Sequence, residues 1–185
     1  MNAIDTLSNE HGLIRRFLER LDAATEAIRQ GKRPPREFYE LAVQFARTFA
    51  DTVHHFKEEH VLFVRLAQRQ EGAIDAQVET LRHQHERGRR LVTQLSGHLA
   101  AYAEGSAEAA QMVLATSNAY SDLLRDHIHR EDHEFYPLAR KVLTEEDMSA
   151  LEEEFERDRQ RRGGLAFEVA HKQVVDMGSL LTHLA

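Results

Sequence analysis

The stretch that decides the fold is His127–Pro137, read HIHREDHEFYP, and an earlier stretch, His55–Phe63, read HFKEEHVLF, repeats its chemistry 72 residues before it. In both stretches the first residue is a histidine and the fifth is a glutamate. On an α-helix, residues i and i+4 point to the same face, so each stretch presents an imidazole and a carboxylate one turn apart. Inward-pointing pairs of this kind hold metal ions in the cores of helical bundles. The two stretches therefore predict helices that carry metal ligands.

The composition limits the classes to which the protein can belong. With 185 residues, 42% of them hydrophobic, the chain is long enough for one well-buried domain. The formal charge is −7 and the chain has no long basic run. This charge argues against a nucleic-acid or anionic-membrane partner and favours a small molecule.

The N-terminal sequence and the cysteine count narrow the choice further. The N-terminus lacks the continuous apolar core of a signal peptide, and no stretch approaches a membrane span, so we expect a cytoplasmic protein. The chain has no cysteine, which excludes disulfides and thiolate metal sites. Its twelve histidines and 31 acidic residues leave nitrogen and oxygen as ligand atoms.

Glycine and proline divide most of the chain into four long amphipathic helices, and no stretch carries a strand pattern. On each helix the inward residues alternate at spacings of three and four, which is the heptad pattern of helices that pack side by side. Long amphipathic helices joined by short turns predict an all-α fold, an antiparallel up-down four-helix bundle. The four helices are expected at about residues 5–30, 36–70, 73–104 and 106–137.

Two shorter helices are expected after the bundle. Thr144 is the predicted N-cap of a fifth helix that runs to about Arg161, with acidic residues in its first turn. Two glycines then break the chain, and a sixth helix is expected in residues 165–184. We expect one domain, with the bundle in residues 1–142 and an extension in residues 143–185 that covers one end of the bundle or mediates a homodimer.

Counting residues from the turns places the candidate ligands at one height. His11 and His55 each lie about 20 residues from the first turn, so they become level in an antiparallel hairpin. His85 lies 20 residues before Gly105, and His127 lies 22 residues after it. The glutamates one turn further along join the same layer. Six groups are thus predicted to converge: His11, His55, Glu59, His85, His127 and Glu131.

An internal repeat accounts for this symmetry. Leu7–Leu18, LSNEHGLIRRFL, aligns without gaps with Leu81–Val92, LRHQHERGRRLV, and both contain a leucine, a histidine and a pair of arginines at the same positions. Each half of the chain is thus a helical hairpin with one histidine on its first helix and a histidine–glutamate pair on its second. Two such halves predict a two-metal site with a pseudo-two-fold axis.

The motifs NEHGLIRRFL, HHFKEEHVLF, HQHERGRRLV and HIHREDHEFYPLA resemble those of the hemerythrin-like proteins with HHE cation-binding domains. The resemblance covers residues 5–140 in the family's order and spacing. It implies a non-haem di-iron site in which two iron ions share an oxo or hydroxo bridge. The four histidines of the layer would be terminal ligands, and Glu59 and Glu131 would bridge the irons. Such a ligand set leaves positions open on each iron for a diatomic molecule or peroxide.

One departure from the family bears on function. Hemerythrins that carry oxygen have a further histidine four residues from the ligand on the third helix, but this chain has Leu81 and Arg89 at those positions. The pattern is more similar to the four-histidine, two-glutamate variants associated with response to nitric oxide or oxygen and with repair or supply of iron centres. The resemblance thus implies a di-iron protein that binds or reacts with O2, NO or peroxide. An iron storage or delivery protein without catalysis, and a helical interaction module with a structural metal, are alternatives that the same ligands allow.

The polar residues also have simpler interpretations. A single histidine on a heptad seam is more often a hydrogen-bonded core residue than a ligand, but four of them beside two buried carboxylates would be costly without a metal. Asp132 competes with Glu131, but it lies roughly 140° from His127 around the helix, which favours a role in orienting an imidazole. His129 and His133 form another i, i+4 pair that faces away from the core. Other histidines are expected at the surface or as outer partners: His54, His60, His83 and His98. The arginine pairs are expected on solvated helix faces: Arg15, Arg16, Arg89 and Arg90.

Overall fold

The computed structural model describes residues 2–69, 72, 74–182 and 184, and within these residues the fold is all-helical without a strand. Eight α-helices lie in the described residues, and π-helical segments interrupt two of the long runs. The α-helices are α1 (Ala3–Arg29), α2 (Arg36–Phe45), α3 (Phe63–Arg69), α4 (Asp75–Ala103), α5 (Ala107–Arg130), α6 (Tyr136–Val142), α7 (Glu145–Arg161) and α8 (Ala166–Thr182). The π-helical segments are Ala46–His55, Glu58–Leu62 and Glu131–Phe135.

Capping residues and glycines set most helix ends near the predicted positions. Asn2 caps α1 through a capping box with Asp5, so this helix begins two residues before its predicted start. Gly31 and Gly105 adopt φ angles of 78° and 94°, which only glycine adopts freely, and they follow α1 and α4. Thr144 caps α7 through a second capping box, as predicted.

Two of the predicted helices are continuous runs of mixed helix type. The run over residues 36–69 joins α2, two π-helical segments and α3, and the run over residues 107–142 joins α5, one π-helical segment and α6. Pro137 does not end the second run, because it lies in the first turn of α6, where proline is tolerated. The predicted end of the second helix at Gln70 and the predicted start of the third at Ala73 lie outside the described residues.

The π-helical segments change which side chains face inward. A π-helical turn is closed by hydrogen bonds between residues i and i+5, so it contains more residues than an α-helical turn. The side chains that face inward in such a segment therefore differ from those that a constant period of 3.6 residues predicts. In the run over residues 36–69, His54 and His55 are both buried and Glu58 is fully buried, whereas Glu59 is partly exposed.

Two apolar clusters lie on either side of a polar layer. Along each of the four long helical runs, the residues that precede the layer belong to one apolar cluster and the residues that follow it belong to the other. The layer contains buried histidines and glutamates, including His11 on α1 and His85 on α4, which lie between these apolar positions. The residues that flank the layer are Leu7 and Leu13, Val53 and Val61, Leu81 and Val92, and Ile128 and Phe135.

The C-terminal helices pack on both clusters. Phe155 of α7 joins the cluster that contains Leu7, and Met177 of α8 joins the cluster that contains Leu13. Large apolar side chains in and beside α8 remain exposed, including Leu165. The homodimer and the division at residue 142 stay predictions. Among the described residues, no helix has both the length and the apolar character needed to cross a membrane.

Candidate metal centre

Two groups of buried histidines and glutamates lie in the polar layer. Within each group the candidate ligand atoms lie within 4.8 Å of one another. Glu58 belongs to both groups, so its two carboxylate oxygens can serve two ions. The first group is His55, Glu58, His85 and His127, and the second group is His11, His54, Glu58 and Glu131.

The structure brings five of the six predicted ligands into these groups: His11, His55, His85, His127 and Glu131. The sixth, Glu59, lies outside them, and its neighbour Glu58 occupies the predicted place because the π-helical segment rotates the run. His54, expected at the surface or as an outer partner, is 1% exposed and lies in the second group. The sequence signal for both missed residues was the pair of doublets, His54 with His55 and Glu58 with Glu59, which a constant helical period cannot resolve.

Each of the five imidazoles has its Nδ1 atom opposite a side-chain oxygen that lies outside the two groups. Because carboxylate and amide oxygens only accept hydrogen bonds, this arrangement favours a proton on Nδ1, and in the neutral ring Nε2 then presents its lone pair. Metal-binding histidines have this arrangement, in which the second ring nitrogen is held and the tautomer is fixed. The pairs are His11 with Asp132 (2.9 Å), His54 with Glu10 (3.0 Å), His55 with Asp51 (3.5 Å), His85 with Glu59 (2.6 Å) and His127 with Gln84 (3.0 Å).

Residues 2–139 match the family model of the hemerythrin HHE cation-binding domain. The chain belongs to this family. It is also similar to two proteins titled "Uncharacterized protein", Rv1995 of Mycobacterium tuberculosis and Mb2018 of Mycobacterium bovis. Each is 27% identical over 176 residues, which cover 95% of this chain and 67% of the relative. No solved structure matches the chain significantly.

The interior atoms of this hemerythrin-family chain fit a bound cation. Nε2 of His85 lies 3.1 Å from Nε2 of His127, and in the tautomer with the proton on Nδ1 two lone pairs face each other. Oε2 of Glu131 lies 3.1 Å from Nε2 of His127, yet neither Glu131 oxygen has a hydrogen-bond partner in the described part of the chain. Nε2 of His54 and Oε2 of Glu58 are buried without a partner in the same way. Divalent cations held by nitrogen and oxygen in the two groups would satisfy these atoms.

Electrostatics in the layer favour the same conclusion. Burial, followed by the charge of Glu131, raises the pKa of Glu58 well above its usual value. Burial alone would raise the pKa of Glu131, but the neighbouring His127 and His11 hold it well below its usual value. Burial lowers the pKa of His54 to about 3, so this imidazole stays neutral. A raised pKa favours the protonated form of Glu58 in the metal-free chain, and a cation at this carboxylate competes with the proton.

Tyr136 is a further buried residue at the site that the sequence did not single out. Its hydroxyl donates a hydrogen bond of 2.6 Å to Oε1 of Glu58, and its ring stacks on His11 with centroids 5.4 Å apart. Burial and the charge of Glu58 raise the pKa of Tyr136 well above its usual value, so the phenol keeps its proton and remains a donor. Tyr136 therefore fixes the orientation of the carboxylate that both groups share.

The other acids and histidines near the layer lie outside both groups. Asp132 accepts a hydrogen bond from His11, which is the orienting role predicted for it. His129 and His133 stack on each other with ring centroids 4.2 Å apart on the exposed face, as predicted. The solvated position predicted for Arg15 is corrected in part, because its exposed guanidinium also bonds Asp132.

Proposed function

We propose that the chain is a non-haem di-iron protein that binds or reacts with O2, NO or peroxide in sensing, scavenging or iron-centre maintenance. The observation that carries this proposal is the position of Glu58, a fully buried carboxylate shared by two histidine-rich groups. One carboxylate between two such groups suits a pair of metal ions rather than one. Imidazole and carboxylate donors without thiolate suit iron among the redox-active metals.

The residues divide into those that would hold each ion and those that would link the two ions. His55, His85 and His127 would hold one ion, and His11 and His54 would hold the other. Glu58 would bridge them, and Glu131 lies within 3.2 Å of Nε2 of both His11 and His127, which suits it to a second bridge. Bound iron would supply open coordination positions and one-electron chemistry toward a small oxidant. The family assignment supports a cation at this place, and iron is our proposal.

The chain's own contribution is to keep the layer dry and its ligands fixed. The apolar clusters on both sides of the layer exclude water, which strengthens every electrostatic interaction within it. Tyr136 holds Oε1 of Glu58, and outer oxygens hydrogen-bond to Nδ1 of four imidazoles, those of His11, His54, His85 and His127. A small uncharged molecule such as O2 or NO can enter an apolar interior of this kind more easily than an ion. These features support a small diatomic molecule or peroxide as the partner.

We also infer the antiparallel up-down arrangement and the duplication of two hairpins. Three contacts between the runs support it. Gln84 near the start of α4 bonds Asp126 near the end of α5, and Tyr102 near the end of α4 bonds Pro34 just before α2. Arg140 of α6 bonds Asp5 near the start of α1. Each contact joins the first half of one run to the second half of another, as in helices that alternate in direction.

Anaerobic purification with ferrous iron tests the proposed function. We expect two irons per chain. Rapid mixing with O2, NO or peroxide should change the optical absorption bands of the iron on the time scale of the measurement. Stoichiometric release of iron to a chelator without such a reaction would favour storage or delivery. A metal that neither reacts nor leaves would favour a structural role.

A further inference from the structure

Arg89 of α4 lies just outside the metal centre and bonds three carboxylates at once. Its Nε donates to Oδ1 of Asp51 at 2.8 Å, and its Nη2 donates to Oε1 of Glu59 at 2.7 Å. Its Nη1 donates to Glu86 at 2.6 Å. The side chain is 32% exposed. The solvated position predicted for Arg89 is correct only in part, because Asp51 and Glu59 in the π-helical segments also bond this side chain.

The two oxygens that Arg89 bonds outside its own helix are the oxygens that face two candidate ligands. Oδ1 of Asp51 lies 3.5 Å from Nδ1 of His55, and Oε1 of Glu59 lies 2.6 Å from Nδ1 of His85. The two imidazole rings stack on each other, with centroids 3.8 Å apart and planes 15° apart. A single guanidinium therefore reaches two stacked ligands that come from different helical runs.

The other outer carboxylates are each held by a cation of their own. Lys57 bonds Glu10, which holds His54, and both charged groups are buried. Arg15 bonds Asp132, which holds His11. Lys57 and Arg15 therefore each support one imidazole of the group that contains His11 and His54. Arg89 supports two imidazoles of the other group, so the two halves of the centre differ in how their ligands are held.

We propose that Arg89 is a positioning residue for the metal bound by His55, Glu58, His85 and His127. It fixes Asp51 and Glu59. Glu59 holds His85 through a hydrogen bond, and the charge of Asp51, 3.5 Å from Nδ1 of His55, orients the second stacked imidazole without a hydrogen bond in the described residues. The planar guanidinium is required because it donates in two fixed directions, whereas an ammonium is a point charge. This inference rests on the metal centre proposed above. Outer partners of ligating histidines typically contribute about 10- to 100-fold in metal affinity.

Cobalt(II) binding to the full chain tests this role without reference to reactivity. Arg89→Met should weaken the binding of one of two cobalt ions by about 10- to 100-fold and should shift the visible bands of that ion. Arg89→Lys keeps the charge but loses the second fixed donor, so it should recover only part of the affinity. Arg90→Met is the matched control, because it removes the same charge from the next, exposed position of α4 and should leave both ions unchanged.

Several results would overturn the role of Arg89. These are equal weakening of both cobalt ions, unchanged visible bands in Arg89→Met, and an equal effect of Arg90→Met. Should Arg89→Met not fold, Asp51→Asn and Glu86→Gln give the same test. The first should weaken one cobalt ion and the second should not, since Glu86 bonds Arg89 but holds no imidazole among the described residues. A wild-type chain that binds only one cobalt ion would contradict the two-metal proposal, while the affinity ratio between wild type and Arg89→Met would still decide the role of Arg89.

Discussion

Glu58 and Glu59 are neighbours in the chain, yet their surroundings assign them different roles. Glu58 is fully buried and lies between two groups of imidazoles, with a single hydrogen bond from Tyr136. Glu59 is 13% exposed, accepts a hydrogen bond from His85 and pairs with Arg89. A rotation of one residue around the helix separates a carboxylate that can bridge two ions from one that orients an imidazole.

Exchanging each of these carboxylates for an amide distinguishes the two roles. Glu58→Gln removes the charge shared by both groups, so we expect it to lose most of both metal ions. Glu59→Gln leaves the interior carboxylates in place and should weaken one ion by about 10- to 100-fold. Metal content after dialysis against a chelator of graded strength measures both effects. A greater loss in Glu59→Gln than in Glu58→Gln would show that the register of this run is that of a regular α-helix.

Tyr136 provides a second prediction at the scale of a single residue. Tyr136→Phe removes the hydroxyl that donates to Glu58 and leaves a buried oxygen without its partner. We expect the metal-free protein to lose about 1–3 kcal/mol of unfolding free energy in urea. Tyr39→Phe is the control, because the hydroxyl of Tyr39 is buried without a hydrogen-bond partner in the described part of the chain. An equal loss in both variants would mean that the hydrogen bond to Glu58 contributes nothing specific.

At the scale of helices, the sequence predicted most boundaries correctly and failed where the helix type changes. Gly31, Gly105 and Thr144 determine local geometry through their own chemistry, so their signals are readable from sequence. The choice between Glu58 and Glu59 depends on π-helical hydrogen bonds, which follow from packing across the whole layer. A doublet of identical residues gives no local reason to prefer one member. The candidate ligands lie at a common depth along the helices, and the run at Glu58 and Glu59 is rotated relative to a regular α-helix.

The start of α7 carries a prediction about pH. The hydrogen bonds from Arg69 lower the pKa of Asp147 from 3.8 to about 2, and Asp147 also closes the capping box with Thr144. A carboxyl with a lowered folded-state pKa stabilises the fold above its unfolded pKa and loses this contribution as pH falls. Asp147→Asn should therefore cost on the order of 1 kcal/mol near pH 6, the usual value of a helix cap. The difference from wild type should shrink between pH 3.8 and about 2.

Urea unfolding of both proteins across this pH range measures the difference. Glu153→Gln on the same helix is the control, because Glu153 is 73% exposed and its contact with Arg157 is 3.9 Å long. Its effect should be small at every pH. A difference for Asp147→Asn that stays constant down to pH 2 would exclude the ionised carboxylate as the source of the stability.

At the scale of the whole molecule, the polar layer is the place where the fold depends on a bound cation. Each long helical run places apolar residues on both sides of the layer and at least one candidate ligand within it. The layer thus interrupts the core with two acids and five histidines. Among the described residues, Nε2 of His54, Oε2 of Glu58 and both oxygens of Glu131 are buried without a hydrogen-bond partner. Buried polar groups without partners cost free energy, and a cation that binds only the folded chain recovers it.

Removal of the metal should therefore lower the melting temperature of the whole protein. At a free metal concentration about 1,000 times Kd, binding contributes roughly 4 kcal/mol, which for a chain of this size corresponds to roughly 8–16 °C. Differential scanning calorimetry of metal-loaded and metal-free protein measures the shift. His127→Ala should abolish most of it, because this residue lies in the layer, whereas His129→Ala and His133→Ala should retain it, because both lie on the exposed face. Equal melting temperatures with and without metal, or loss of the shift in His129→Ala, would show that the metal does not bind in the core.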